Sequence, residues 1–222
     1  MKRMTKKEAA EIIEILKTLH PDARIALVAN NPFELLIATM LSAQTTDVQV
    51  NKVTPALFAQ YPTPEALSQA EVHDVEEKIR SIGFFHTKAQ NLIRTANLLV
   101  KEFGGQVPGT MEELTQLPGV GRKTTNVVLS NAFGVPAIAV DTHVFRVSNR
   151  LRLSTSDDVL HCERDLQHIL DPSVWSQAHH LLIFHGRRIC KAQRPLCETC
   201  PLIDHCRYER AAAIRSDREE SR

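Results

Sequence analysis

With 222 residues, 43% apolar and 24% charged, the chain has the balance of an ordinary globular protein and the length for one large domain or two small ones. No apolar run approaches the roughly 20 residues that span a bilayer. The basic opening Met1-Lys2-Arg3-Met4-Thr5-Lys6-Lys7 runs into Glu8, Glu11 and Glu14 rather than a signal-type apolar stretch, so a cytoplasmic, non-membrane protein is expected. Lys and Arg number 27 against 26 Asp and Glu, a net charge of +1, which excludes a globally basic polyanion binder.

Helical signals run almost end to end. Thr5-Lys6-Lys7-Glu8 is a capping box, followed by Ala9, Ile12, Ile13, Leu16 and Leu19 at helical spacing. Asn31-Pro32 opens a second helix, with proline at its first position where no N–H is required. Its body, Phe33 to Leu41, is apolar nearly all round, which marks a buried central helix. The pattern breaks abruptly at Leu41-Ser42-Ala43-Gln44-Thr45-Thr46-Asp47, which by itself reads as a polar helix end. Further helices are predicted at about 47–60, 64–69, 72–81, 87–103, 111–117, 122–132, 142–151, 157–170 and 174–188.

Between the third and fourth of these, Ser81-Ile82-Gly83-Phe84-Phe85-His86-Thr87-Lys88-Ala89 forms a helix–turn–helix junction with two adjacent aromatics. An apolar side chain offered there has the shape to intercalate between bases, although core packing is the default role for Phe85. Leu117-Pro118-Gly119-Val120-Gly121 then separates two helices. Pro118 ends the first, and glycine at 119 and 121 opens backbone conformations closed to other residues and keeps side chains away from a ligand. The next helix N-terminus, with unpaired N–H groups and a positive dipole end, suits a phosphate. The same pattern also describes a tight turn that binds nothing.

Lys123 lies in the first turn of that helix, an unfavourable place for a cation. A helix N-terminus and partial burial both favour a lysine's neutral form, and a neutral amine suits Schiff-base chemistry at a sugar aldehyde carbon. A surface lysine touching phosphate is the plainer alternative. Val135 to Val140 reads as an extended connector with no partner strand. Asp141 follows it as a helix N-cap in Asp141-Thr142-His143. An ionised carboxylate near a departing base also stabilises a positive sugar in the transition state. Four of the five cysteines close the chain as Cys190, Cys197, Cys200 and Cys206, a set suited to a tetrahedral zinc ion or an iron–sulfur cluster. Cys162, within a helix, reads as a core residue. Arg187, Arg188, Lys191 and Arg194 form the one acid-free basic stretch, which is also what a solvated face looks like. The 207–222 tail is polar and expected to fray.

Leu117-Pro-Gly-Val-Gly-Arg-Lys123-Thr and Ile138-Ala-Val-Asp141-Thr-His-Val-Phe-Arg146-Val resemble the endonuclease III family of helix–hairpin–helix DNA glycosylases over about residues 5–207. The resemblance implies an all-α fold of two helical lobes. A six-helix barrel-like domain holding the hairpin would span 25–135, and a cluster domain would join 1–24 to 136–222, with the active site in the cleft between them. It implies excision of oxidised or ring-saturated pyrimidines from double-stranded DNA, then β-elimination at the abasic site, by a monomer working on the nucleoid. Lys123 would be the nucleophile at C1′ and Asp141 the essential carboxylate. The cysteine spacing would hold a [4Fe–4S] cluster that rigidifies the loop bearing Lys191 and Arg194. Contacts to DNA would come from that loop, from Gly119, Val120 and Gly121, from His143, from Gln44 in the gap left by the flipped nucleotide, and from Phe84 as a wedge where many members have leucine. Rival readings are a pyrimidine-dimer glycosylase/lyase, a monofunctional adenine-mismatch glycosylase, which typically lacks the lysine, a non-catalytic DNA-binding module, which needs neither Lys123 nor Asp141, and a cluster-based electron carrier, which needs no hairpin.

Overall fold

The structure is a computed structural model that describes residues 4–208 and residue 213. Beyond Tyr208 the expected fraying of the tail lies outside the described residues, residue 213 excepted. In chain order the helices are α1 (Lys6–Leu19), α2 (Pro32–Leu41), α3 (Asp47–Gln60), α4 (Pro64–Ser68), α5 (Val72–Lys78), α6 (Phe85–Phe103), α7 (Met111–Leu114), α8 (Arg122–Ala132), α9 (Thr142–Arg150), α10 (Val159–Ile169) and α11 (Trp175–Arg188). Short 3-10 turns follow at Pro172–Val174, Cys197–Thr199 and Ile203–His205. No strand occurs among the described residues, and no helix there is long and apolar enough to cross a membrane. The fold is all-α, and the chain divides into two units, Ile25–Val135 and the residues that flank it on both sides.

In the unit Ile25–Val135, α2 is the core helix. Leu36, Ile37, Ala38 and Leu41 are wholly buried, and each such leucine or isoleucine contributes about 1.5–3 kcal/mol over leaving it in water. Helices α3, α6 and α8 pack against it. Polar side chains start these helices by accepting N–H groups that the first turn leaves unpaired: Asn31 from Glu34, Thr46 from Gln49, Thr63 from Ala66 and Thr110 from Glu113. On α6, Ala89, Leu92, Ala96 and Leu99 form the buried stripe. That helix stops at Gly104, whose φ of 57° is left-handed and whose N–H closes on Leu99.

Several helix boundaries differ from the sequence reading by one to three residues. Helix α5 ends at Lys78 and α7 at Leu114, each three residues early. Ile79, Ile82 and Leu117 still reach the core, from turns closed by Ile82 N–H to Ile79 O (2.8 Å) and Leu117 N–H to Leu114 O (3.2 Å). Apolar spacing reports burial, and a tight turn can bury the same residues as a helix. Helix α6 begins two residues early because Phe84 supplies its N-terminal carbonyl, which accepts from Lys88 N–H at 3.0 Å.

In the other unit, Ala9, Ile12, Ile13 and Leu16 of α1 share a core with Val144 and Val147 of α9, Cys162 and Leu166 of α10 and Leu181 and Leu182 of α11. The connector carries no helix or strand and is buried through Ala137, Ile138, Ala139 and Val140, and Ala139 O is bonded by the buried His179 ring at 2.7 Å. Helices α9 and α11 approach closely at Gly186. A β-carbon there would lie 3.1 Å from both His143 Cβ and Val147 Cγ2, so glycine permits the approach that brings the start of α9 beside the end of α11.

Candidate functional site

The hairpin in the unit Ile25–Val135 is anchored from below. Leu117 and Val120 are buried, and Val120 N–H closes a turn on Leu117 O at 3.0 Å. Its outer surface is therefore Gly119, Gly121 and the start of α8; Val120 contributes the anchor. Gly119 has φ +76° and sits against α6, where a β-carbon would come within 2.9 Å of Asn91 Nδ2 and 3.2 Å of Asn91 Cβ. Both facts demand glycine. At Gly121 nothing lies within 4 Å of an added β-carbon, so the space above it is open, and α8 has no side-chain cap. An uncapped helix start behind an exposed glycine is a ready seat for a backbone phosphate.

Lys123 is exposed in the first turn of α8. The partial burial expected for it is absent, because α8 turns Thr125, Asn126, Val127, Val128 and Leu129 inward and leaves its first turn in solvent. An accessible amine is what attack on a sugar carbon requires.

Gln44 and Phe84 fall together. Both are exposed, and both hold left-handed backbone, with φ 54° and 57°, which a side chain with a β-carbon adopts at a cost of roughly 1–2 kcal/mol. Phe84 is 68% exposed although apolar. The Gln44 carbonyl lies 3.9 Å from where a Gly83 β-carbon would sit. Gln49 Nε2 donates to Ser81 Oγ at 2.6 Å, and the Lys88 ammonium donates to Leu41 O at 2.9 Å, Ala43 O at 2.7 Å and Thr45 Oγ1 at 3.3 Å. Burial pulls the Lys88 pKa down from its ordinary value.

In the other unit, Asp141 caps α9. Its Oδ1 accepts from His143 N–H at 2.9 Å and Val144 N–H at 2.8 Å. Arg146, one turn on, donates to Gly186 O at 3.0 Å, Cys190 O at 3.1 Å and His143 Nδ1 at 3.1 Å. Since a guanidinium only donates, His143 Nδ1 is an acceptor and the ring proton sits on Nε2. Burial first, and the nearby Arg146 and Arg187, pull the His143 pKa down, in keeping with a neutral ring.

Cys190, Cys197, Cys200 and Cys206 line one cavity with His185, Arg150 and Tyr208. No three of the described His, Cys, Asp or Glu residues converge closely enough to hold a single metal ion. Four thiols around one shared space suit an iron–sulfur cluster. Polar groups also reach the sulfurs: Arg150 Nη1 donates to Cys190 Sγ at 3.4 Å, and His185 Nε2 lies 3.8 Å from Cys200 Sγ. Burial pushes the Cys200 thiol up to about 11, and a bound positive charge would favour its thiolate. Arg150 further holds Lys191 O at 2.8 Å and stacks 3.9 Å from the Tyr208 ring centre. The loop it supports exposes Lys191 and Arg194, the latter with φ 50°.

The basic stretch read from sequence is smaller than it looked. Arg188 forms a two-pronged pair with Asp22 at 2.8 and 2.6 Å, which cancels its charge. Sequence reasoning gave no role to Lys88, Arg146, Arg150 or His185. Lys88 carried a legible signal, since a lysine in the first turn of a helix opposes the dipole and calls for a tertiary partner.

Comparison with known proteins adds five findings. Residues 37–172 match the family described as HhH-GPD superfamily base excision DNA repair protein, and residues 190–206 match the iron–sulfur binding domain of endonuclease III. The chain is 48% identical to endonuclease III of Synechocystis sp. over 90% of its length and 92% of the relative's. It is 49% identical to endonuclease III of Bacillus subtilis, over 85% of this chain and 87% of that one. Its structure superposes with a TM-score of 0.87 and 49% identity on a trapped endonuclease III–DNA covalent intermediate, over 92% of this chain and 96% of that one.

Proposed function

The chain belongs to the endonuclease III family of HhH-GPD base excision DNA repair proteins, and from that premise we propose that Lys123 and Asp141 act on the same nucleotide, an oxidised or ring-saturated pyrimidine of double-stranded DNA. The protein is a DNA glycosylase with abasic-site lyase activity, and Cys190, Cys197, Cys200 and Cys206 hold its [4Fe–4S] cluster. The observation that carries the assignment of the nucleophile is an exposed Lys123 in the first turn of α8, directly behind the open glycine hairpin.

The chemistry follows from the groups present. With phosphate seated on the hairpin, the target nucleotide leaves the stack. Lys123 Nζ, as the free amine, bonds to C1′, and the C1′–N bond breaks with its electron pair going to the base. As the sugar takes on positive charge, the Asp141 carboxylate stabilises it. The amine's proton passes to the departing base, O4′ takes a proton from water as the sugar ring opens to a protonated imine, and loss of a C2′ proton to water forms the C2′–C3′ double bond and expels the 3′ phosphate. Cys190, Cys197, Cys200 and Cys206 would hold the cluster, which would fix the fold of residues 190–206; the exposed Lys191 and Arg194 meet phosphate, and the neutral His143 lies beside the acid.

The reading is tested with duplexes carrying single modified bases. A ring-saturated pyrimidine is expected to be released as the free base, with strand cleavage 3′ to the site. Cleavage of abasic duplex without release of any oxidised pyrimidine would remove the lesion assignment and leave the lyase.

Gln44 fills the vacated space and Phe84 separates the bases. Truncating a stacked aromatic costs about 1–3 kcal/mol. Phe84→Ala is therefore expected to weaken binding to lesion duplex about tenfold, while binding to a short single-stranded abasic oligonucleotide changes little. Equal losses on the two DNAs would show that Phe84 does not wedge.

A further inference from the structure

The segments that the unit Ile25–Val135 offers to DNA are each held from α6. Phe84 is the N-cap of α6. One turn in, the Lys88 ammonium reaches across to the Gln44 segment, 45 residues away in sequence at Ala43. At the next turn Asn91 abuts Gly119, and Thr95 Oγ1 then donates to Pro118 O at 2.9 Å. Of these contacts, only the one at Lys88 holds a residue pair that is both strained and exposed.

The end of α2 explains why an ammonium is needed. The carbonyls of Ala38, Thr39 and Met40 are met locally, by Ser42 N–H, Ser42 Oγ and Ala43 N–H. Leu41 O and Ala43 O are taken by Lys88, whose third proton goes to Thr45 Oγ1. Three donors therefore meet three acceptors, and the charge also offsets the negative end of the α2 dipole. The acceptors straddle Gln44, which holds φ 54° between Ala43 and Thr45. On the other side, Lys88 N–H is bonded to Phe84 O at 3.0 Å. A single residue thus ties both left-handed positions together.

We propose that Lys88 is a positioning residue for the reaction, its ammonium clamping the Ser42–Thr46 segment onto the start of α6 so that Gln44 and Phe84 enter the duplex as one rigid unit. This rests on the reading that Gln44 fills the gap and Phe84 wedges. The clamp itself is a property of the free protein, so the two are separable. A methionine at 88 keeps the length and helix propensity and removes all three bonds.

Two measurements on the cluster-loaded protein decide it. In hydrogen–deuterium exchange of the free protein, Lys88→Met is expected to speed amide exchange over residues 41–47 by about tenfold or more, with the α8 hairpin unaffected. Unchanged exchange there overturns the clamp, whatever Gln44 does. In excision kinetics on lesion duplex, Lys88→Met is expected to lower kcat/KM about tenfold in the native background and less than about twofold in a Gln44→Ala background. Equal losses in the two backgrounds would mean that Lys88 supports the fold generally, and the proposal would fall. A Gln44→Ala protein as active as the native one would instead remove the gap-filling reading, leaving the exchange result to judge the clamp. Should Lys88→Met not fold, Thr45→Val, which removes one acceptor of the three, is expected to raise exchange over 41–47 about threefold; no rise would overturn the proposal.

Discussion

Lys123→Gln is expected to abolish the covalent adduct that borohydride forms between this protein and abasic-site duplex, and to lower strand cleavage at least about a thousandfold. Glutamine is close to lysine in length and helix propensity, and residue 123 is exposed in the first turn of α8, so stability should stay within about 0.5 kcal/mol. The substitution removes only the amine proposed to bond C1′. Affinity for lesion duplex should persist, because the hairpin, Phe84 and the 191–194 loop are untouched. Trapping is read directly as a slower-migrating protein–DNA band. A Lys123→Gln protein that traps at the native rate would show that another amine is the nucleophile.

Asp141→Asn is expected to keep DNA binding and fold but to lose about 100- to 1000-fold in base release. The discrimination comes from the cap geometry. Both hydrogen bonds of the cap run to Oδ1, from His143 N–H and Val144 N–H, and an asparagine oxygen accepts both. Asparagine and aspartate are equally good N-caps, so thermal stability should barely move. What disappears is the full negative charge proposed to face the sugar. Asp141→Ala would add a loss of about 1 kcal/mol of stability from the missing cap. Native turnover in Asp141→Asn would reduce the residue to a helix cap. The two substitutions also separate the steps of the reaction: Lys123→Gln strikes bond formation at C1′, whereas Asp141→Asn strikes departure of the base and should leave cleavage of a preformed abasic site less affected.

Much of this protein could be read from short-range signals. The capping box at Thr5 and Glu8, the proline entry at Pro32, the all-round apolar body of α2, the glycine stop at Gly104 and the cysteine spacing each act within a few residues of themselves. Local backbone sterics and hydrogen bonding decide such features, so their pattern survives in a linear string. Lys123 and Asp141 were chemically suggestive by the same local logic, a cation opposing a dipole and an acid capping a helix, and the resemblance of their two motifs to a family supplied the roles.

Partner choice was settled elsewhere. That Lys88 would spend its three protons on Leu41, Ala43 and Thr45 depends on how α6 packs beside α2. That Arg188 would be neutralised by Asp22, 166 residues away, depends on a pairing no periodicity encodes. Arg146 joins His143, Gly186 and Cys190 because Gly186 lets α9 and α11 come close. Lys123 remains exposed because α8 spends its apolar face further along. Helix existence is a local equilibrium that sequence writes directly. Which side chains meet across tens or hundreds of residues is fixed only when the packed core chooses one arrangement, and there the tertiary structure decided.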